Sequence, residues 1–217
     1  MITSRSEVGI RVCDLGCAEG VALILMAEAF PHSEFVGIDI AAQALEKARA
    51  AAVRRKLGNI LFLNHDAADL TGADEMVATF DYVTAFDAIH DQTRPLEALK
   101  GAWALLKPGG GFSMVDIAAG SHIDANRDHP MGPFLYTVSL MHCLPVGLVG
   151  GGAGLGMMWG REKAVALLKE AGASGVTIEL IGTAGRWLKD RELIEAVAAY
   201  WQEVGINTKV RIFEFTE

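Results

Sequence analysis

Two rhythms of apolar and polar residues alternate along this chain. Arg11–Leu15 is a short apolar run that enters a glycine-containing turn. Val21–Phe30 reads as a helix, with Val21, Ile24 and Leu25 at helical spacing. Phe35–Ile40 (FVGIDI) is the next strand. Ala41–Leu57 is an alanine-rich helix that gathers Leu45, Ala48 and Ala52 on one face and spreads Glu46, Lys47, Arg49, Arg54, Arg55 and Lys56 over the rest. Ile60–Asn64 and Phe80–Phe86 read as strands, the latter with Val83 inward. Leu96–Leu106 is a helix that stops at the Lys107-Pro108-Gly109-Gly110-Gly111 turn, and Phe112–Ile117 is a fifth strand. Further on, Arg161–Ala171 is an amphipathic helix, Val176–Ile181 a strand, Asp190–Val204 a helix and Lys209–Phe215 a last strand. Strands alternating with helices imply an α/β domain with a mostly parallel sheet covered on both faces. No internal repeat or flexible linker interrupts the 217 residues, so one domain is expected.

Composition narrows the function classes. Hydrophobic residues make up 51%, enough for a sizeable core and incompatible with disorder or a small disulfide scaffold. A net charge of −8 with no basic run argues against a nucleic-acid partner. The first residues carry no charged head followed by a long apolar stretch, so no signal peptide is expected. Residues 129–160 contain no Asp, Glu, Lys or Arg, but three prolines and a cluster of glycines make them a poor membrane span, so no membrane partner is expected. Cys13, Cys17 and Cys143 lack metal-ligand spacing and read as reduced, mostly buried thiols of a cytoplasmic protein.

The chemistry concentrates at strand ends. Residues 12–20, VCDLGCAEG, follow a strand and open a helix, a place where backbone N–H groups approach a ligand. The dinucleotide fingerprint is absent, because Val21 stands where its last glycine belongs. Asp39 closes FVGIDI, followed by Ile40. Asp66-Ala67 follows the third strand, and Phe86-Asp87 ends the fourth. Together with LLKPGGGF (105–112), these elements resemble, in order, the class I S-adenosylmethionine (SAM)-dependent methyltransferases. The resemblance covers about residues 8–172. It implies a Rossmann-like three-layer α/β/α sandwich with a seven-stranded sheet, and SAM as cofactor. It implies that Asp14, Gly16, Ala18 and Gly20 form the cofactor turn, Ala18 replacing the family's middle glycine. By the same resemblance Asp39 and Ile40 hold the ribose, Asp66 and Ala67 the adenine, and Phe86 and Asp87 flank the transferred methyl. Read from the residues alone, Asp14 is also a turn cap, Asp39 is also a helix N-cap for Ala41 onward, and Asp69 competes with Asp66.

On the acceptor side the candidate bases are His90, His129 and His142, with Asp91, Tyr136 and Met141 as candidate pocket residues. Each also reads as an ordinary structural or packing residue. The stretch from Asn126 to Gly160 resembles a subgroup of bacterial methyltransferases of poorly defined substrate. The Asn/Asp-Pro-Pro-Tyr motif of amine methylation and the Pro-Cys nucleophile of RNA cytosine methylation are absent, and a small-molecule acceptor is expected. A divalent-metal O-methyltransferase needs clustered acids such as Asp87, Asp116 and Asp124; the expectation is no metal.

The C-terminal part departs from the family, which closes its sheet with an antiparallel hairpin. Gly185-Arg186-Trp187-Leu188-Lys189-Asp190-Arg191-Glu192 and Val204-Gly205-Ile206 resemble a strand-helix-strand piece of the oligopeptide-type periplasmic solute-binding proteins. Residues 1–172 are thus methyltransferase-like and 173–217 solute-binding-protein-like, with the last two strands supplied as a β-α-β unit. Two unrelated families within one domain-sized chain suggest a designed chimera. About ten residues precede the first strand, where methyltransferases usually carry a cover for the cofactor, so an open pocket is expected. Three readings follow: a SAM-binding methyltransferase core, an engineered hybrid without catalytic activity, and a solute-binding module. A strand edge at the splice makes a homodimer an alternative to a monomer.

Overall fold

The structure is a computed structural model that describes residues 9–173, 177–184, 191, 195 and 207–214. The chain divides into two compact units, Met1–Gly172 and Ala173–Glu217. In the first unit five strands form one parallel sheet: β1 (Arg11–Leu15), β2 (Glu34–Asp39), β3 (Ile60–Asn64), β4 (Phe80–Phe86) and β5 (Leu106–Val115), in the order β3-β2-β1-β4-β5. The order reverses at β1, so the C-terminal ends of β1, β2 and β4 border the crevice where open α/β sheets bind ligands.

Alternation along the strands sends successive residues to opposite faces. Val12, Phe35 and Phe62 pack against Leu23, Ile24 and Ala27 of α1 (Val21–Ala29) and Leu45, Ala48 and Ala52 of α2 (Ala42–Arg54). Cys13, Leu15, Val36, Ile38, Val83 and Ala85 point the other way. They pack with Leu99, Ala102 and Leu105 of α3 (Pro95–Leu105), with Trp159, and with Ala164 of α6 (Arg161–Glu170). The result is the three-layer α/β/α sandwich. Pro95 opens α3 at its first position, where a missing N–H costs nothing.

The structure departs from the sequence reading at several elements. On α1 the buried face is Leu23, Ile24 and Ala27, whereas Val21 and Leu25 are exposed. The segment Lys107–Gly111, expected as a turn, belongs to β5. Phe80 pairs with Leu106 and Tyr82 with Gly111, so the extra residues bulge out of the ladder while the strand continues. The uncharged stretch is partly helical: α4 (Gly132–Val138), a π-helical turn (Ser139–Cys143) and α5 (Leu144–Gly147). Where a single seven-stranded sheet is expected, the described residues form a five-stranded sheet in the first unit and a two-stranded one in the second. In the second unit β6 (Thr177–Ala184) pairs in parallel with β7 (Asn207–Glu214), from Thr177 with Asn207 to Ala184 with Glu214. Of the expected helix Asp190–Val204, only Arg191 and Glu195 are among the described residues; both are helical. Among the described residues no helix is long and apolar enough to cross a membrane.

Candidate functional site

The turn after β1 is shaped by close packing. Gly16 and Gly20 sit at φ 69° and 71°, a region glycine enters freely. A Cβ on Gly16 would lie 2.5 Å from the Ala88 Cβ, and one on Gly20 would lie 2.5 Å from the Phe62 ring. Ala18, exposed between them, is also left-handed at φ 46°. The N–H groups of Gly16 and Cys17 both donate to the Ile38 carbonyl, at 2.8 and 3.2 Å. The Ala18 N–H donates to Asp39 Oδ2 at 2.8 Å. The turn is therefore latched to the end of β2.

Asp39 is half-buried, and its Oδ1 accepts the Ala41 N–H at 2.7 Å. The N-cap position of α2 is Ala41, and Asp39 binds its N–H from two residues upstream. The carboxylate ties down the chain entering α2, and two N–H bonds leave about two of its four acceptor positions for a pair of neighbouring hydroxyls. Ile40, just beyond, is exposed.

Asp66 Oδ1 accepts the Ala68 N–H at 2.8 Å, capping a 3₁₀ turn over Ala67–Gly72. Its Oδ2 accepts from Arg94 Nη2 at 2.8 Å, and Arg94 Nη1 lies 2.9 Å from Asp69 Oδ1. Asp66 and Asp69 therefore share one guanidinium. The hydrogen bond from Arg94 lowers the Asp69 carboxyl below its usual range. Ala67 is buried beside Asp66. Phe86 is partly exposed at the end of β4. Asp87, exposed at φ 49°, donates its N–H to the Val115 carbonyl at 2.8 Å. Burial and the neighbouring Asp116 and Asp91 raise the Asp87 carboxyl, against the opposing pull of His90.

Asp14 does not reach the surface. It is buried in β1, accepts a 2.7 Å hydrogen bond from Thr84 Oγ1, and is pushed by burial up to about 6, with the Thr84 bond opposing.

The three histidines part company. His90 is buried in a 3₁₀ turn after β4 (Ile89–Asp91), its Nδ1 2.8 Å from Asp116 Oδ1 and its Nε2 3.5 Å from Asp91 Oδ1. Burial works against its charged form, yet Asp116, Asp91 and Asp87 outweigh that and raise its pKa. His90 is 2% exposed, with an acid beside each ring nitrogen. His129 is half-buried; its Nδ1 accepts the Met131 N–H and its Nε2 faces the Ala118 carbonyl, each at 3.2 Å. His142 is exposed on the π-helical turn. Among the expected pocket residues, Met141 is exposed and the Tyr136 hydroxyl accepts from Asn126 Nδ2 at 2.9 Å. Asp124 pairs with Arg127 on the surface, apart from Asp87 and Asp116 in role.

Thr84, Arg94 and Cys143 were not among the expected site residues, and Asp116 was weighed only as a candidate metal ligand. Thr84 was readable as a polar residue inside an apolar strand; the other three are joined to the site by chain-distant contacts that no local spacing encodes. All three cysteines are free and buried. Burial, helped by Asp91, pushes the Cys143 thiol up to about 11.

Residues 6–140 match the sequence model of a methyltransferase domain, more than half of the chain. The chain belongs to this methyltransferase domain family. It is 31% identical over 132 residues to 27-O-demethylrifamycin SV methyltransferase of Amycolatopsis mediterranei, covering 58% of this chain and 47% of the relative. It is 27% identical over 115 residues to demethylmenaquinone methyltransferase of Listeria monocytogenes, covering 52% and 47%. The chain thus spans about half the length of these curated relatives. Among solved structures, a methyltransferase-like protein of Bacillus halodurans superposes with a TM-score of 0.59 at 20% identity, covering 76% of this chain and 63% of that one. The methyltransferase CalH, solved in complex with SAH, also gives 0.59 at 20% identity, covering 79% and 46%. These two likenesses establish the fold of the α/β/α core.

Proposed function

We propose that the chain is a SAM-dependent methyltransferase acting on a small-molecule acceptor. The observation that carries this reading is Asp39. Its carboxylate stands at the C-terminal end of β2, is fixed by the Ala18 and Ala41 N–H groups, and keeps acceptor positions for a ribose diol. This donor set fits the nucleoside of SAM, within a family of methyltransferase domains. SAM bears its methyl on a sulfonium, so transfer is a displacement with a good leaving group. The protein's task is therefore chiefly to position, exclude water and hold protons. Gly16, Ala18 and Gly20 set the turn beside the ribose acid. Asp66 and Ala67 border the adenine side, with Asp66 steadied by Arg94. Phe86 and Asp87 stand at the exit of β4, beside the crevice. His142 is the exposed candidate base. The relatives named above methylate a rifamycin and a menaquinone precursor, and the charge of −8 favours such an acceptor over a nucleic acid.

Calorimetric titration of the full chain with SAM and with S-adenosylhomocysteine tests this. Saturable binding weakened about tenfold to a hundredfold by Asp39→Ala is expected, the size of one or two lost charged hydrogen bonds. No heat at millimolar ligand overturns it and leaves a hybrid without activity.

A second reading concerns the C-terminal unit. β6 and β7 pair in parallel, where the methyltransferase pattern closes with an antiparallel hairpin. This supports a fragment of solute-binding-protein type joined to a methyltransferase core in a chimera. A peptide-dependent thermal shift without any SAM effect would make a solute-binding module the better description.

A further inference from the structure

We propose that His90, Asp91 and Cys143 form a binding site for a zinc-like divalent cation, with Asp116 as the positioning carboxylate behind His90. The inference is independent of the methyl-transfer reading. One ligand atom from each of the three residues lies within 4.8 Å of the other two. His90 and Cys143 are buried, and Asp91 is half-buried. The imidazole, carboxylate and thiol together are the mixed donor set of a borderline-soft cation.

Distances separate ligands from supports. His90 Nε2 and Asp91 Oδ1 are 3.5 Å apart, long for a hydrogen bond. Two ligands held about 2.0–2.1 Å from one tetrahedral ion are separated by about 3.4 Å. On the other side of the ring, Nδ1 lies 2.8 Å from Asp116 Oδ1, a hydrogen-bond distance too short for two ligands of one tetrahedral ion. That bond places the ring proton on Nδ1 and turns the Nε2 lone pair toward Asp91 and Cys143. It is the carboxylate–histidine–metal arrangement. The alternative grouping of Asp87, His90 and Asp116 uses the nitrogen already engaged in this bond, so the Cys143 side is favoured.

A second observation points to a missing partner. Asp91 Oδ1 is buried and faces the Cys143 thiol and, at 3.5 Å, His90 Nε2, while Asp116 Oδ2, on a side chain 9% exposed, has no hydrogen-bond partner. Unpaired buried acceptors are costly, and more so when charged. A cation at the His90–Asp91–Cys143 corner would bind the first and offset the charge of the second. Cys143 reaches this corner on the π-helical turn, an irregularity common at functional sites. α5 follows it directly and packs beside His90: a Cβ on Gly147 would come 3.6 Å from the His90 carbonyl.

The test uses the full chain, stripped with chelator and titrated with Co²⁺ and then Zn²⁺. One equivalent of cobalt is expected, with a thiolate-to-cobalt charge-transfer band that zinc abolishes. Cys143→Ala should remove the band and weaken zinc binding at least about tenfold, with apo thermal unfolding within a few degrees of the parent. Asp91→Asn should weaken binding by a similar factor. Asp116→Asn should weaken it about tenfold to a hundredfold while keeping the band, because it alters only the orientation of His90. Absence of stoichiometric binding overturns the proposal and leaves His90 as a buried side chain paired with Asp116. So does a band and affinity unchanged in Cys143→Ala.

Discussion

Thr84 Oγ1 donates a 2.7 Å hydrogen bond to Asp14 Oδ1 across adjacent parallel strands, both side chains buried in the middle of the sheet. This bond only partly offsets the cost of placing a carboxyl there, and the folded pKa stands at about 6 against 3.8 for the free side chain. Below about pH 4 the group is protonated in both folded and unfolded chains. Between about 4 and 6 the folded chain holds a proton that the unfolded chain has released, so stability falls as pH rises through this window. Asp14→Asn keeps an acceptor for Thr84 and cannot ionise. It should flatten that part of the profile and gain up to about 2–3 kcal/mol at pH 7. Urea midpoints measured from pH 4 to 8 check this.

Gly16 faces Ala88 so closely that a Cβ would approach within 2.5 Å. Gly16→Ala should cost about 2–4 kcal/mol, part from the collision and part from φ 69°. Ala88→Gly in the same chain should recover the collision share and leave the backbone share. A double-mutant cycle by urea unfolding should give a coupling of about 1 kcal/mol or more; zero coupling would place the whole cost in the backbone.

Ala18 holds a left-handed conformation that an L side chain pays for by about 1 kcal/mol. Ala18→Gly should therefore raise the thermal midpoint by about 2–4 °C. It should tighten SAM binding or leave it unchanged, since the substitution restores the family's middle glycine.

The fork of Arg94 onto Asp66 and Asp69 is solvent-exposed. Arg94→Ala should change stability by less than about 1 kcal/mol. Asp66→Ala should cost about 1 kcal/mol more than Asp66→Asn, because only the alanine loses the cap on Ala68. Thermal unfolding of the three variants side by side decides this.

The legible parts of the molecule were those written locally. The strands Ile60–Asn64 and Phe80–Phe86 have the expected limits, and Leu45, Ala48 and Ala52 form the buried face of α2, because period and burial coincide there. Asp39 was expected at the end of the second strand and lies there, as the last residue of β2. Val21 and Leu25 misled because α1 is apolar nearly all round, so its sequence does not say which side meets the sheet. The Lys107–Gly111 segment misled because glycine and proline permit a bulge within a strand as readily as a turn between elements. The His90–Asp91–Cys143 corner had no local signature: one member arrives from the loop after β4 and another from a turn far along the chain, and only tertiary packing joins them.

The position of β1 in the strand order bears on how the chain is made. β1 is flanked by β2, its near neighbour in sequence, and by β4, reached only some seventy residues later, as the Thr84–Asp14 bond measures. During synthesis β1, β2 and β3 can assemble as soon as they leave the ribosome, while the other edge of β1 waits. Until Phe86 has emerged, that edge offers unpaired backbone beside Val12, Cys13 and Leu15. The strand that ends at the centre of the finished sheet is therefore an unpaired border of the nascent one until β4 arrives to cover it.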